Sequence, residues 1–140
     1  MKRIVALILI CFLFQAGFAF SFKKKQKAQI FMSNRMIERT ETMQPVSVFN
    51  KGEKIYFEVH NPNGFKSDYV KYQIVKQDDN ANGLDAGYTR CRNITKKLKD
   101  KNSFQDYFVL HKKGMYYLQI FDIENLQQWV ALSAFKVVEE

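Results

Sequence analysis

The sequence predicts an all-β protein: a single antiparallel β-sandwich of seven or eight strands behind an N-terminal export segment. Three observations carry this. Apolar and polar residues alternate with a period of two in several short runs. Turn-forming residues separate those runs at short, regular intervals. Long helical periodicity is missing from Ala28 onward.

The export segment comes first. Lys2 and Arg3 give a basic start, and residues 4–14 form an unbroken apolar run. Gly17 and Ala19 then stand at the −3 and −1 positions of a cleavage after Ala19. A basic start, an apolar run of this length and a small-x-small ending describe a secretory signal peptide. Ile10 precedes Cys11 where lipid attachment would need a small residue, so the pattern is not that of a lipoprotein. Uncharged residues continue to Phe22, long enough for a membrane span. Lys23, Lys24, Lys25 and Lys27 follow, and basic flanks resist translocation. The expectation is cleavage and a secreted or periplasmic product, with an uncleaved anchor as the other outcome. Residues 1–19 are then the signal peptide, 20–27 a basic flexible tail and 28–140 one domain. Membrane contact would come only through an uncleaved signal or the Lys23–Lys27 tail.

The domain follows strand by strand. Residues 28–32 and 46–49 are short candidates. Residues 54–60 place Ile55, Phe57 and Val59 on one face, and 69–76 do the same with Val70, Tyr72 and Ile74. Residues 86–91 and 105–110 come next. Residues 115–123 alternate through Tyr116, Leu118 and Ile120, and 129–138 is apolar almost throughout, as a strand covered on both faces would be. Turn chemistry at 50–53, 61–64, 78–83, 111–114 and 122–125 separates them. The polar stretch 93–102 reads as room for a helical turn. With 13 phenylalanines and 7 tyrosines, a chain of this size can build a core without cross-links.

L-H-K-K-G-M-Y (110–116) resembles the corner before the penultimate strand of immunoglobulin-like domains. There a leucine, a glycine four residues on and a tyrosine two later form a tyrosine corner, whose hydroxyl bonds back to backbone. The resemblance assigns that role to Tyr116, with Gly114 as its glycine. The final F-K-V-V-E-E is similar to the last strand of bacterial immunoglobulin-like modules. The likeness runs over roughly 45–140 as a pattern, and the paired cysteines and central tryptophan of antibody domains are absent. It implies the architecture of an immunoglobulin-like sandwich, not a particular family.

Net charge is +8, yet six of the 22 basic residues precede Ala28, leaving 16 basic against 14 acidic in the domain. A near-neutral domain with a basic tail lacks the footprint of a nucleic-acid binder. Arg90, Arg92, Lys96, Lys97, Lys99, Lys101, Lys112 and Lys113 nonetheless outnumber Asp100 and Asp106 by six. If the chain brings 93–103 beside 111–114, they form a basic patch for an anionic partner; otherwise they are solvated surface.

Candidate chemistry is sparse. In D-D-N-A-N-G (78–83), Asp78, Asn80 and Asn82 space oxygen ligands as in the first half of a calcium loop, followed by Gly83. The position that should hold a bidentate glutamate is Thr89, so the only cofactor this pattern admits is a weakly held calcium ion. The competing reading is a hairpin turn in which Gly83 supplies a positive φ. After signal removal Cys91 is the one remaining cysteine, with three fates open: an inert buried thiol, a bridge to another chain, or a free thiol. His60 and His111 have no acid or nucleophile at motif spacing, and hydrolase, zincin and phosphate-loop motifs are missing. Tyr56, Tyr117 and Phe121 fall on the faces opposite the core, as cross-strand pairs or as a stacking surface.

The expected function is that of an exported, non-catalytic binding or structural module of the cell envelope, engaging a protein or glycan. The alternatives are a small thiol protein or enzyme centred on Cys91, and a calcium-dependent binding module.

Overall fold

The computed structural model describes residues 27–79 and 87–140. The expected signal peptide lies outside the described residues, as do Asn80, Asn82 and Gly83. Eight strands are present among the described residues: β1 (Gln29–Ser33), β2 (Val48–Asn50), β3 (Lys54–His60), β4 (Tyr69–Gln77), β5 (Tyr88–Lys97), β6 (Ser103–Val109), β7 (Gly114–Asp122) and β8 (Ala131–Val138). They form a three-stranded sheet ordered β1-β3-β6 and a five-stranded sheet ordered β2-β8-β7-β4-β5. This is an immunoglobulin-like β-sandwich. Each run read from the sequence corresponds to one of these strands.

Two features differ from the expectation. The pairing is antiparallel except for β2 with β8, which is parallel, with Phe49 opposite Val137. Residues 34–47 carry the chain from the edge of one sheet to the edge of the other, so β2 arrives running in the direction of β8. The polar stretch expected to hold a helical turn instead continues β5 to Lys97. Nine residues of β4 offer it a ladder, from Tyr69 opposite Lys97 to Gln77 opposite Tyr88, and Ile94 packs against the core. A ready partner strand overrides weak local propensity.

The core forms between the sheets from the inward side of each alternation. Phe57 of β3 lies at its centre, fully buried. Its ring meets Tyr72 at 5.1 Å edge-on, Phe104 at 5.9 Å and Phe108 at 5.8 Å. Phe108 continues to Phe135, which stacks on Tyr116 at 5.6 Å and meets Phe49 edge-on. Six strands from both sheets are joined by this one series of rings.

Tyr116 also makes the corner. Its hydroxyl donates to the carbonyl of Lys112 at 2.6 Å, tying the start of β7 to the turn before it. Burial, then the nearby Cys91 and Asp79, push this phenol up to about 12. Gly114 enters β7 with φ 147°, where a side chain would be strained and would press on Lys76. Burial and the hydrogen bond from Tyr72 to Asp106 likewise raise the Tyr72 phenol.

Replacing Phe57 with Ala is expected to cost about 3–5 kcal/mol, because the cavity opens where both sheets meet; urea denaturation measures it. Tyr116→Phe removes one buried hydrogen bond and is expected to cost about 1 kcal/mol. The unfolded chain releases the Tyr116 proton above its ordinary pKa of 10.0, while the folded chain holds it to about 12. Stability from this group is therefore complete below pH 10 and lost as pH rises through 12. Melting curves across that window should fall less steeply for Tyr116→Phe than for the native chain.

Candidate functional site

Because Tyr116, Leu118 and Ile120 point inward on β7, Tyr117 and Gln119 must point outward. The register then fixes their neighbours. Gln119 lies between Leu132 of β8 and Gln73 of β4, and Tyr117 lies between Ala134 and Val75. Tyr88, at the start of β5, sets its ring edge-on to Tyr117 at 5.8 Å. Trp129 closes the other end from the loop before β8, outside the strand that its apolar run predicts. Together these side chains, Ala134 apart, line an open groove of about 420 Å³ across the outer face of the five-stranded sheet. Tyr88, Trp129 and Leu132 are 55%, 49% and 44% exposed, which is high for large apolar groups sharing one face. Across the groove floor Gln73 Nε2 donates to Gln119 Oε1 at 2.5 Å.

Trp129 also borders a second depression, of about 460 Å³, at the end of the sandwich where the 61–68 and 123–130 loops meet. Two buried polar residues build this end. Asp122 terminates β7 and its carboxylate accepts the Lys66 backbone N–H at 2.7 Å, joining one loop to the other. Asn61 donates through Nδ2 to the Gly64 carbonyl, and its own carbonyl accepts from Asn102 Nδ2 at 3.0 Å. Gly64 closes that turn at φ 72°. The loop end is thus held by hydrogen bonds to backbone.

The eight cations of the sequence reading spread along one edge and over both ends of the sandwich. Arg90, Arg92, Lys96 and Lys97 lie on β5, an edge strand. Lys99 and Lys101 follow at the loop end, where Lys101 pairs with Asp68 at 3.2 Å. Lys112 and Lys113 sit at the opposite end, and Lys113 lies 4.0 Å from Glu139. Arg92 and Lys96 reach over the open side between the sheets. Arg92 donates to the Val109 carbonyl at 3.4 Å, and Lys96 donates to the Gln105 carbonyl at 2.8 Å. Lys96 also pairs with Asp106 at 3.1 Å, which accepts the Tyr72 hydroxyl at 2.9 Å.

Cys91 is exposed, which excludes the buried fate. It is the extra residue of a β-bulge: Arg90 lies opposite Val75 and Arg92 opposite Ile74, so Cys91 has no partner on β4. His60 lies opposite Ser103 at the start of β6, while His111 follows the end of that strand, so β6 separates them. Of the calcium candidates only Asp78 is among the described residues. Its Oδ1 accepts the Thr89 hydroxyl at 2.9 Å, and its backbone N–H donates to Gly87, closing the β4–β5 hairpin. Among the described residues no group of three or more His, Cys, Asp or Glu side chains is placed to hold a metal ion. Tyr56 forms a cross-strand pair with Tyr107 at 5.7 Å. Phe121, expected on the surface, is buried.

No protein-family model matches this chain, and no curated protein does. Solved structures align with much of the chain at low identity. An immunoglobulin-like protein from Pseudomonas aeruginosa is 12% identical over 82% of this chain and 99% of its own, with a TM-score of 0.48. The soluble domain of PmoD from Methylocystis is 15% identical over 79% of this chain and 90% of its own, at 0.47. A superoxide reductase from Ignicoccus hospitalis is 12% identical over 88% and 89%, also at 0.47.

Asp122→Ala leaves the Lys66 N–H without its acceptor and is expected to cost about 1–3 kcal/mol. Hydrogen exchange at the Lys66 amide should accelerate, while amides of β3 and β6 keep their protection against local opening.

Proposed function

We propose that this protein is exported by its N-terminal segment and acts, without catalysis, as a binding module of the cell envelope. The observation that carries the reading is the cluster of half-exposed Tyr88, Trp129 and Leu132 on the outer face of the five-stranded sheet. Large apolar groups gathered on one face at this exposure mark a contact surface. Trp129 borders both the groove and the loop end, which makes it the anchor. The basic start, apolar run and Gly17-x-Ala19 ending support export and cleavage. Loops resting on a stable sandwich are a common way to display a binding surface.

A second reading, a thiol protein centred on Cys91, draws on the exposure of that residue at the bulge. Cys91→Ser separates the two: a thiol function vanishes, and a binding module keeps its partner.

The test is capture from the native envelope fraction on the immobilised full-length chain. Trp129→Ala should lose the captured component, and Lys99→Ala at the surface should retain it. Equal capture by both variants would remove the outer face from consideration. Fractionation with N-terminal sequencing should find the protein outside the cytoplasm and beginning at Phe20.

A further inference from the structure

We infer that the groove on the five-stranded sheet takes a neutral carbohydrate chain, an inference that rests on the binding-module reading and names the class of its ligand. A sugar ring presents two chemistries. Its C–H faces are weakly electropositive and apolar, and its rim carries hydroxyls that both donate and accept. A matching site needs exposed aromatic faces, whose π-clouds are negative, and neutral groups that can donate and accept. The groove supplies both. Trp129 and Tyr88, 49% and 55% exposed, stand at its ends, and the Tyr117 ring lies against Tyr88. Between them the bond from Gln73 Nε2 to Gln119 Oε1 uses one end of each side-chain amide and leaves the Oε1 of Gln73 and the Nε2 of Gln119 outside it, on two residues that line the groove. One acceptor and one donor side by side are what a hydroxyl pair can satisfy.

Charge selects the ligand class. Charged residues make up 26% of the chain, yet among the described residues no Asp, Glu, Lys or Arg lines this groove. An anionic polymer or acidic peptide would find no counter-charge on the floor, because the outward cations Arg90 and Lys136 are not among its lining, whereas the loop-end depression is bordered by Lys27, Lys66 and Asp122. The outer face also disfavours a second copy of this chain. Arg90 lies opposite Val75 and Lys136 opposite Met115, so both share the outward side with the groove, and twofold face-to-face packing would oppose like charges. The groove volume of about 420 Å³ is that of a small-ligand site, and its open form suits a chain passing through.

Trp129 is the only tryptophan in the sequence, so tryptophan fluorescence reports binding at the groove or at the loop end it also borders, and the Tyr88 and Gln119 variants assign the signal to the groove. The full-length protein is titrated with neutral oligosaccharides of glucose, mannose and N-acetylglucosamine, with polygalacturonate and an acidic peptide as charged comparators. The expected result is a saturable shift with at least one neutral series, strengthening with chain length. By calorimetry, Trp129→Ala should abolish binding. Tyr88→Ala should weaken it about tenfold, as loss of an aromatic anchor does. Gln119→Ala should weaken it severalfold with melting temperature unchanged. Binding that survives Trp129→Ala, or a response to the charged comparators alone, overturns the inference. So does a concentration-dependent dimer that Leu132→Glu abolishes. Silence of the whole panel with envelope capture still dependent on Trp129 overturns the carbohydrate and leaves the binding module standing; loss of both overturns both.

Discussion

The fold depends on the packing of Phe57 between two sheets that no disulfide joins. Cys91, the only cysteine among the described residues, is exposed on an edge strand, so cohesion between the sheets comes from apolar burial. A sandwich of this size can manage that only if its inner faces interdigitate densely. The rings do so by edge-on and tilted contacts, from Tyr72 and Phe104 through Phe57 and Phe108 to Phe135 and Tyr116. Aromatic side chains bury large areas with few rotatable bonds, so a single series of them can register both sheets.

A packed core leaves edges and openings that must be closed separately. At one end the Tyr116 hydroxyl anchors the corner into β7. On the open side, Arg92 and Lys96 of β5 donate to carbonyls along the free edge of β6. Those carbonyls would otherwise be a template for another strand, and charged side chains at an edge guard against such pairing. Two of the eight cations in the middle of the sequence, Arg92 and Lys96, therefore have a structural use. Lys96 stands in a chain with Asp106 and the buried Tyr72, which carries the tie into the core.

With both openings secured, the outer face of the five-stranded sheet is free to differ from ordinary surface. Residues that alternate with the core positions of β4 and β7 include Val75, Tyr117 and the paired glutamines, an uncharged strip on a charged protein. The two loops at the end of the sandwich are braced by Asp122 and Asn61, and that bracing sets Trp129 at the border of strip and loop end. Preorganisation of this kind lowers the ordering cost of binding.

The strands were legible because alternation is local: Ile55, Phe57 and Val59 announce one face of β3 without reference to anything else. The corner at Tyr116 was legible too, since leucine, glycine and tyrosine fall within seven residues. The length of β5 was not, because its polar residues become strand only when β4 offers a ladder. The bulge that leaves Cys91 exposed and without a partner on β4 was hidden for the same reason, as an extra residue has meaning only against a partner strand. Among the groove residues Gln73, Tyr117 and Gln119 follow onto an outer face from alternation with the core positions of their own strands. Gln73, Tyr88 and the Trp129–Leu132 segment come from three separate parts of the chain and meet only through register. The sequence by itself therefore determined which side chains face the core, a property of period two along one strand. The tertiary structure alone decided which outward side chains become neighbours, because that depends on pairing between residues distant in the chain.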